Sequence, residues 1–367
     1  MKVAQVTFGF DPPLGGGDIY AAHLERFFRD AGWEHRVFQF ARSQNPEVVG
    51  VGSPLPGVRG AFWGMARRLS RMREALSAFD LIVAHYPIYA LAVRRALGGR
   101  RRPRLVGFSH GVTWDDAPHS WRGGMKKRYA QRAFAAADAF VANDTCFLRE
   151  MGVPIEPRTR RFECVVGHAW FIPNAVDAAP FAGAAPLAEL ARFAPVLVPR
   201  NLYANRGIHL AVDAFAHFAQ RNAECFLVVV GRDGQPRYAQ RVKNRVRALG
   251  LGDRVIFWGW APPAAMPSIY AAARMTLIPS VAGEGTSLAA LESMAAGVAT
   301  IATNIGGLPD LPAHLCQPTV PSLAAAMSEV YADRLALGAR QQRLVIEHYS
   351  LDRWRAAWGE VVAQVMG

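Results

Sequence analysis

Two carboxylates in one short segment are the first residues that suggest chemistry. In Gly283-Glu284-Gly285-Thr286-Ser287-Leu288-Ala289-Ala290-Leu291-Glu292, seven residues separate Glu284 from Glu292. The glycines predict a loop, and a helix is expected to begin near Ser287. Free N–H groups at a helix start bind anions such as phosphate. Glu284 stands just ahead of that start, where its own charge opposes a phosphate. A carboxylate there suits neutral hydroxyls, such as those of a sugar. Glu292, two turns into the helix, would take a second pair of hydroxyls. The plainer alternative is a capping carboxylate followed by an exposed one.

Three further groups carry chemical potential. Pro199-Arg200-Asn201-Leu202-Tyr203-Ala204-Asn205-Arg206-Gly207 brings two guanidiniums, able to clamp a diphosphate with planar, bidentate donors. Ordinary surface arginines are the alternative there. Ser109-His110-Gly111 places a histidine at the end of an apolar run, where it can donate to or accept from a hydroxyl or a leaving phosphate. His85 follows Leu81–Ala84 in a similar way. Gly15-Gly16-Gly17 offers close approach to a ligand. It is neither a dinucleotide fingerprint nor a P-loop, because no GxGxxG or GK[ST] is present.

The elements that must position these residues alternate in type. Val3–Phe8, Arg36–Phe40, Leu81–Ala84, Leu105–Ser109 and Ala139–Asn143 read as strands buried on both faces, with helical segments between them. Asp18 is expected to cap a helix over Ile19–Asp30, with Ile19, Ala22, His23 and Phe27 on its inner side. Pro173 and Pro180 predict a connector near 173–185. A second series follows: Val196–Pro199, Phe226–Val230, Val255–Trp258, Met275–Ile278 and Ala299–Ala302. Asp352–Val365 is an amphipathic helix carrying Trp354 and Trp358. The expected fold class is α/β, with two Rossmann-like, doubly wound parallel-sheet domains facing a central cleft. Ligands of such sheets bind outside the carboxyl ends of the strands.

Order and spacing between about Pro195 and Leu311 resemble the retaining GT-B glycosyltransferases of glycosyltransferase family 4. The matching segments are Arg206-Gly207, Val230-Gly231, Val255-Ile256-Phe257-Trp258-Gly259, Ile278-Pro279-Ser280, the Glu284–Glu292 pair, Met294-Ala295-Ala296-Gly297 and Gly306-Gly307-Leu308-Pro309-Asp310. The glycine loop, Ser109-His110-Gly111 and Ile172-Pro173-Asn174-Ala175-Val176-Asp177 are looser matches. The resemblance implies an acceptor-binding domain over 1–178, joined by a crossover helix at about 350–367, and a donor-binding domain over 179–349. Arg200 and Arg206 would bind the donor diphosphate, Glu292 the ribose hydroxyls, and Glu284 with the amides of Gly285, Thr286, Ser287 and Leu288 the transferred sugar and phosphate. His110 would contact the sugar near the reacting centre. Gly16, Gly17 and Gly231 would lie against the donor, and Trp260 would neighbour the base. Arg206 stands where the family usually has lysine, Asn201 where it often has arginine, and Thr286 where it often has an aromatic residue. The implied reaction is transfer of a hexose-type sugar from a UDP or GDP sugar, with retention, without metal or other cofactor. A nucleotide-sugar epimerase of the same fold is the alternative enzyme. A phosphorylase would need a pyridoxal-bearing lysine, and the second series contains only Lys243.

Composition narrows the setting. The 367 residues carry a formal charge of +13, and 38 of the 42 basic residues are arginine. Sixteen of the basic residues lie between Arg59 and Arg132, against four acidic ones. Such a patch attracts polyanions. In this frame it predicts peripheral attachment to the cytoplasmic face of an anionic membrane, near a lipid-linked or glycan acceptor. A basic-patch nucleic-acid or membrane binder without catalysis would explain the patch but not the Glu284–Glu292 arrangement. No nucleic acid is expected as a partner. No apolar run is long enough to span a bilayer, no signal peptide is evident, and four scattered cysteines predict neither zinc ribbons nor redox pairs, as suits a reducing cytoplasm.

Overall fold

Apolar runs with no polar alternation belong where both faces of a strand are covered, and they form two separate parallel sheets. The computed structural model describes residues 1–13, 15–52, 58–98, 103–116, 119–157 and 162–367. By contacts the chain divides into two compact units. One takes Met1–Glu156, the strand pair up to Asn174, and Trp354–Gly367; the other takes Ala175–Arg353.

The first unit holds strands β1 (Lys2–Thr7), β2 (Glu34–Gln39), β3 (Val48–Gly50), β4 (Leu81–His85), β5 (Arg104–Ser109), β6 (Ala139–Ala142), β7 (Glu163–Val166) and β8 (Ala169–Phe171). They pair in the order β3-β2-β1-β4-β5-β6-β8-β7, all parallel except β7 against β8. The second unit holds β9 (Pro195–Val198), β10 (Phe226–Val230), β11 (Val255–Gly259), β12 (Met275–Ile278), β13 (Thr300–Thr303) and β14 (His314–Cys316), in the parallel order β11-β10-β9-β12-β13-β14. Among the parallel strands each order reverses direction once, between β1 and β4 and between β9 and β12. Ligands of doubly wound sheets bind at such reversals. Four strands were not anticipated: β3, β7, β8 and β14. Each has only three or four residues.

One expected helix is shifted. It spans Gly16–Asp30, with Gly15 rather than Asp18 at the N-cap. Asp18 sits in the first turn, where its carboxylate accepts the Gly15 N–H at 3.1 Å. The buried residues are Tyr20, Ala21, Leu24 and Phe28: Tyr20, Leu24 and Phe28 lie one position on from the expected Ile19, His23 and Phe27, and Ala21 one before Ala22. The bulk of Tyr20 sets that phase. Its hydroxyl accepts the Trp358 Nε1–H at 2.7 Å, and its ring meets Trp354 edge-on at 5.1 Å. These tryptophans lie on the last helix, Leu351–Met366, and both are buried in the first unit's core.

Trp358→Ala is expected to destabilise the first unit by about 3–5 kcal/mol, the usual cost of deleting a buried large aromatic. Trp358→Phe should recover most of that loss. Urea denaturation checks both, and a loss of less than about 1 kcal/mol for the alanine variant would contradict this packing role.

Candidate active site

In the second unit four expected site segments leave the carboxyl ends of four neighbouring strands. Arg200 follows β9, Gly231 follows β10, Trp260 follows β11, and Ser280–Ser287 follows β12. The β9–β12 reversal therefore lies between Arg200 and Glu284. Two glycines bring the loops together. Gly207 has φ +67°, and a Cβ there would collide with the Pro279 carbonyl. A Cβ on Gly231 would collide with the backbone of Arg200. The requirement for glycine at both positions is explained by the chain's own close approach, without a ligand.

These loops build a buried charge cluster. One Glu284 carboxylate oxygen lies 3.2 Å from Arg200 Nη2. The other pairs with Arg206 Nη1 and accepts the Ser280 hydroxyl at 2.7 Å. Burial by itself would push the Glu284 carboxyl up. The two guanidiniums and the Ser280 hydroxyl outweigh burial and hold it below the usual carboxylate range. Burial lowers the Arg200 pKa, opposed by Glu284 and assisted by the charge of Arg206. Arg200 Nη2 also donates to the Ser287 hydroxyl at 2.7 Å, whereas its buried Nε–H has no acceptor among the described residues.

This geometry changes the expected place of Glu284. Its acceptor sites face two cations and Ser280, so it is neither a capping carboxylate nor surrounded by room for neutral hydroxyls alone. Ser287 caps the helix Leu288–Ala295, accepting the Ala290 N–H at 3.4 Å. Two guanidiniums outnumber one carboxylate, so the cluster keeps one net positive charge. That surplus lets a carboxylate stand at an anion site.

Glu292 is half-buried rather than exposed. It accepts the Tyr270 hydroxyl at 3.0 Å, and burial pushes its pKa up to about 7 against the opposing pull of that bond and of Arg200. Gly285, Thr286 and Ser287 are buried, and Leu288 is half-buried. Trp260 is 55% exposed with the Arg232 guanidinium 4.8 Å above its ring. Lys243 lies on the helix Pro236–Ala248 and pairs with Asp233 at 2.7 Å. Among the described residues, no group of three or more His, Cys, Asp and Glu is placed to hold a metal ion.

In the first unit, the β1–β4 reversal gathers a second set. Gly15-Gly16-Gly17 follows β1, His85 ends β4, and His110 follows β5. A Cβ on Gly17 would lie 3.7 Å from the His110 ring, while Gly16 is exposed in the first helical turn. His85 Nδ1 and His110 Nε2 are 3.1 Å apart, and His85 Nε2 and Gln5 Oε1 are 2.6 Å apart. Burial drives His85 down to about 3 and His110 well below its ordinary value, with His35 adding to the effect at His85 and His85 at His110. Both rings are therefore neutral near pH 7.

Sequence reasoning singled out His110, Arg200, Arg206, Glu284 and Glu292 but missed Gln5 and Tyr270. Tyr270 lies 22 positions before Glu292, and Gln5 lies 80 before His85. No local spacing links either pair.

The basic segment is less uniform than its sequence suggests. On the helix Val58–Arg71, Phe62, Met65 and Leu69 are buried in the core. They are thus not available to a membrane; Trp63, 51% exposed, is. Trp121, on the helix Trp121–Ala136, is 67% exposed. Asp138 neutralises Arg94 and Arg104, and Glu150 pairs with Lys127. Arg100, Arg101 and Arg102, and the side chain of Arg59, lie outside the described residues. No described helix is long and apolar enough to cross a membrane.

Comparison with known proteins bears on the family and the fold. Residues 194–341 match the family Glycosyl transferases group 1, and residues 14–152 match Glycosyltransferase Family 4. The chain is 35% identical over 333 residues to D-inositol 3-phosphate glycosyltransferase of Acidothermus cellulolyticus, covering 80% of this chain and 71% of that protein. It is also 35% identical over 118 residues to mannosylfructose-phosphate synthase of Agrobacterium fabrum. That match covers 31% of this chain and spans only 26% of the relative's length. In structure it resembles the Anabaena protein HepE in complex with UDP-glucose, with a TM-score of 0.78 at 20% identity over 99% of both chains.

Glu292 contributes stability that should be lost as pH rises from about 4.5 to 7, while the buried His85 and His110, neutral in the folded state, contribute in the opposite direction below about 6.5. In that window the folded Glu292 keeps its proton while the unfolded one has lost it, so the folded state binds more protons. Glu292→Gln is expected to remove that contribution, so the stability–pH slope in this window becomes more positive than in the wild type. Chemical denaturation from pH 4.5 to 8 checks it, and an unchanged slope would contradict the raised carboxyl.

Proposed function

The chain belongs to the group 1 glycosyltransferases and has their two-domain GT-B fold, and from that premise we propose that it transfers a hexose-type sugar from a UDP or GDP sugar with retention at the anomeric carbon. The observation that carries this reading is the buried Arg200–Glu284–Arg206 cluster beside the Ser287 helix start. Its surplus positive charge and the orphan Nε–H of Arg200 suit a diphosphate.

In this reading the bond between the anomeric carbon and the donor phosphate oxygen breaks as the acceptor oxygen bonds to the same carbon from the same face. The acceptor's proton passes to the departing phosphate oxygen. Arg200, Arg206 and the amides near Ser287 stabilise the charge growing on the diphosphate, the contribution that usually dominates catalysis. Glu284 positions both guanidiniums and reaches the sugar, Glu292 takes the ribose hydroxyls, and His110 contacts the sugar. No metal takes part.

A panel including UDP-glucose and GDP-mannose tests the proposal by thermal shift and slow hydrolysis. One nucleotide sugar should stabilise the protein and be hydrolysed, at an unchanged rate in EDTA. Conversion to an epimer without acceptor, or loss in EDTA restored by manganese, would overturn the corresponding part. Arg206→Ala should lower turnover by about 10²–10³-fold, by analogy with the removal of one preorganised donor, and Arg206→Lys should recover much of it because charge is kept.

The acceptor in this reading is lipid-linked or a polysaccharide of the cell surface. The protein would work peripherally on the cytoplasmic face of the membrane, held by Trp63, Trp121 and the arginines around them. Flotation with vesicles tests this: binding should grow with anionic lipid and weaken with salt. Equal binding to neutral and anionic vesicles would count against it.

A further inference from the structure

Four polar side chains run in single file through the first unit. Their hydrogen bonds can be read in only one direction. The Gln5 amide nitrogen donates to the Ala21 carbonyl at 3.0 Å, and a backbone carbonyl accepts only. This fixes which end of the amide is nitrogen. The same nitrogen lies 3.0 Å from His35 Nε2, which must then be the acceptor and leave its proton on Nδ1. At the other end of the amide, Gln5 Oε1 can only accept, so His85 Nε2, 2.6 Å away, carries a proton. A neutral His85 then has a bare Nδ1. That lone pair faces His110 Nε2 at 3.1 Å, so the bond requires a proton on His110 Nε2. What remains on His110 is a bare Nδ1.

The surroundings keep the chain neutral. The rings packed on His110 are Tyr20 at 5.5 Å, Tyr86 at 4.9 Å, Phe108 at 4.5 Å and the nearly parallel His85 at 5.4 Å. None is an anion that would favour an imidazolium. Gln5 and His85 are fully buried, so water does not compete for these bonds.

We propose that Gln5 and His85 are positioning residues that lock His110 in the Nε2–H tautomer, so that His110 offers its ligand an acceptor and not a donor. An acceptor selects O–H groups and repels phosphate oxygens. The inference rests on the reading of His110 as the sugar contact and sharpens it: the group recognised is a sugar hydroxyl, and the departing diphosphate draws no proton from His110.

Two-bond 1H–15N correlation spectra of the full chain, labelled with 15N-histidine, test the lock at neutral pH. His110 and His85 should both show protonated Nε2 and bare Nδ1, and His35 the reverse. A wild-type His110 protonated on Nδ1 would overturn the inference, and this readout needs no variant to fold. In Gln5→Met, the amide is replaced by an apolar chain of similar length. The His110 nitrogens should then shift towards the average of the two tautomers, and kcat should fall about tenfold with KM for the donor little changed, as expected for one misoriented hydrogen bond. Unmoved His110 nitrogens in that variant would also overturn the lock. If the nitrogens shift as expected while kcat holds, the sugar-contact reading falls and the tautomer assignment stands.

Discussion

A buried carboxylate held between two guanidiniums organises the second unit. Removing either kind of charge would leave the other uncompensated in a low-dielectric setting, at a cost of several kcal/mol. Glu284 therefore cannot be exchanged for a neutral residue without unsettling Arg200 and Arg206. Much else follows from bringing these three together. Gly207 must be glycine so that the Arg206 loop can press on Pro279, and Gly231 so that the Arg200 backbone can pass. Ser280 donates to Glu284 and Ser287 accepts from Arg200 Nη2, while the Arg200 Nε–H keeps no acceptor among the described residues.

The two units use the same topological device for opposite electrostatics. Each presents loops where its strand order reverses. In the second unit the reversal gathers net positive charge. In the first it gathers neutral imidazoles, kept so by burial, with His35 acting on His85 and His85 on His110. The first suits groups that carry hydroxyls, and the second suits groups that carry phosphates.

The charge of the chain acquires a finer meaning in the folded state. Most of the excess lies within Arg59–Arg132, yet Asp138 and Glu150, outside that stretch in sequence, neutralise part of it. The apolar residues of the Val58–Arg71 helix are used by the core. The outward face there is arginine with an occasional tryptophan, as in the Arg95 guanidinium 4.2 Å above Trp63. Such a face suits an anionic surface by charge more than by insertion.

The sequence by itself determined the strands with long apolar runs and the family resemblance, and it marked Arg200, Arg206, Glu284, Glu292 and His110 as candidates. Those signals are local, because burial on both faces and a glycine-bearing helix start are written within a few residues. Short strands such as β3 and β14 escaped because three residues hold no period. What only the tertiary structure decided is who meets whom. Glu284 meets two arginines across a strand-order reversal, Glu292 meets Tyr270, Trp358 meets Tyr20, and His110 is set by Gln5 through His85. These pairings decide charge state and tautomer. Both depend on burial and on neighbours distant in the chain, which no spacing along one strand or helix can encode.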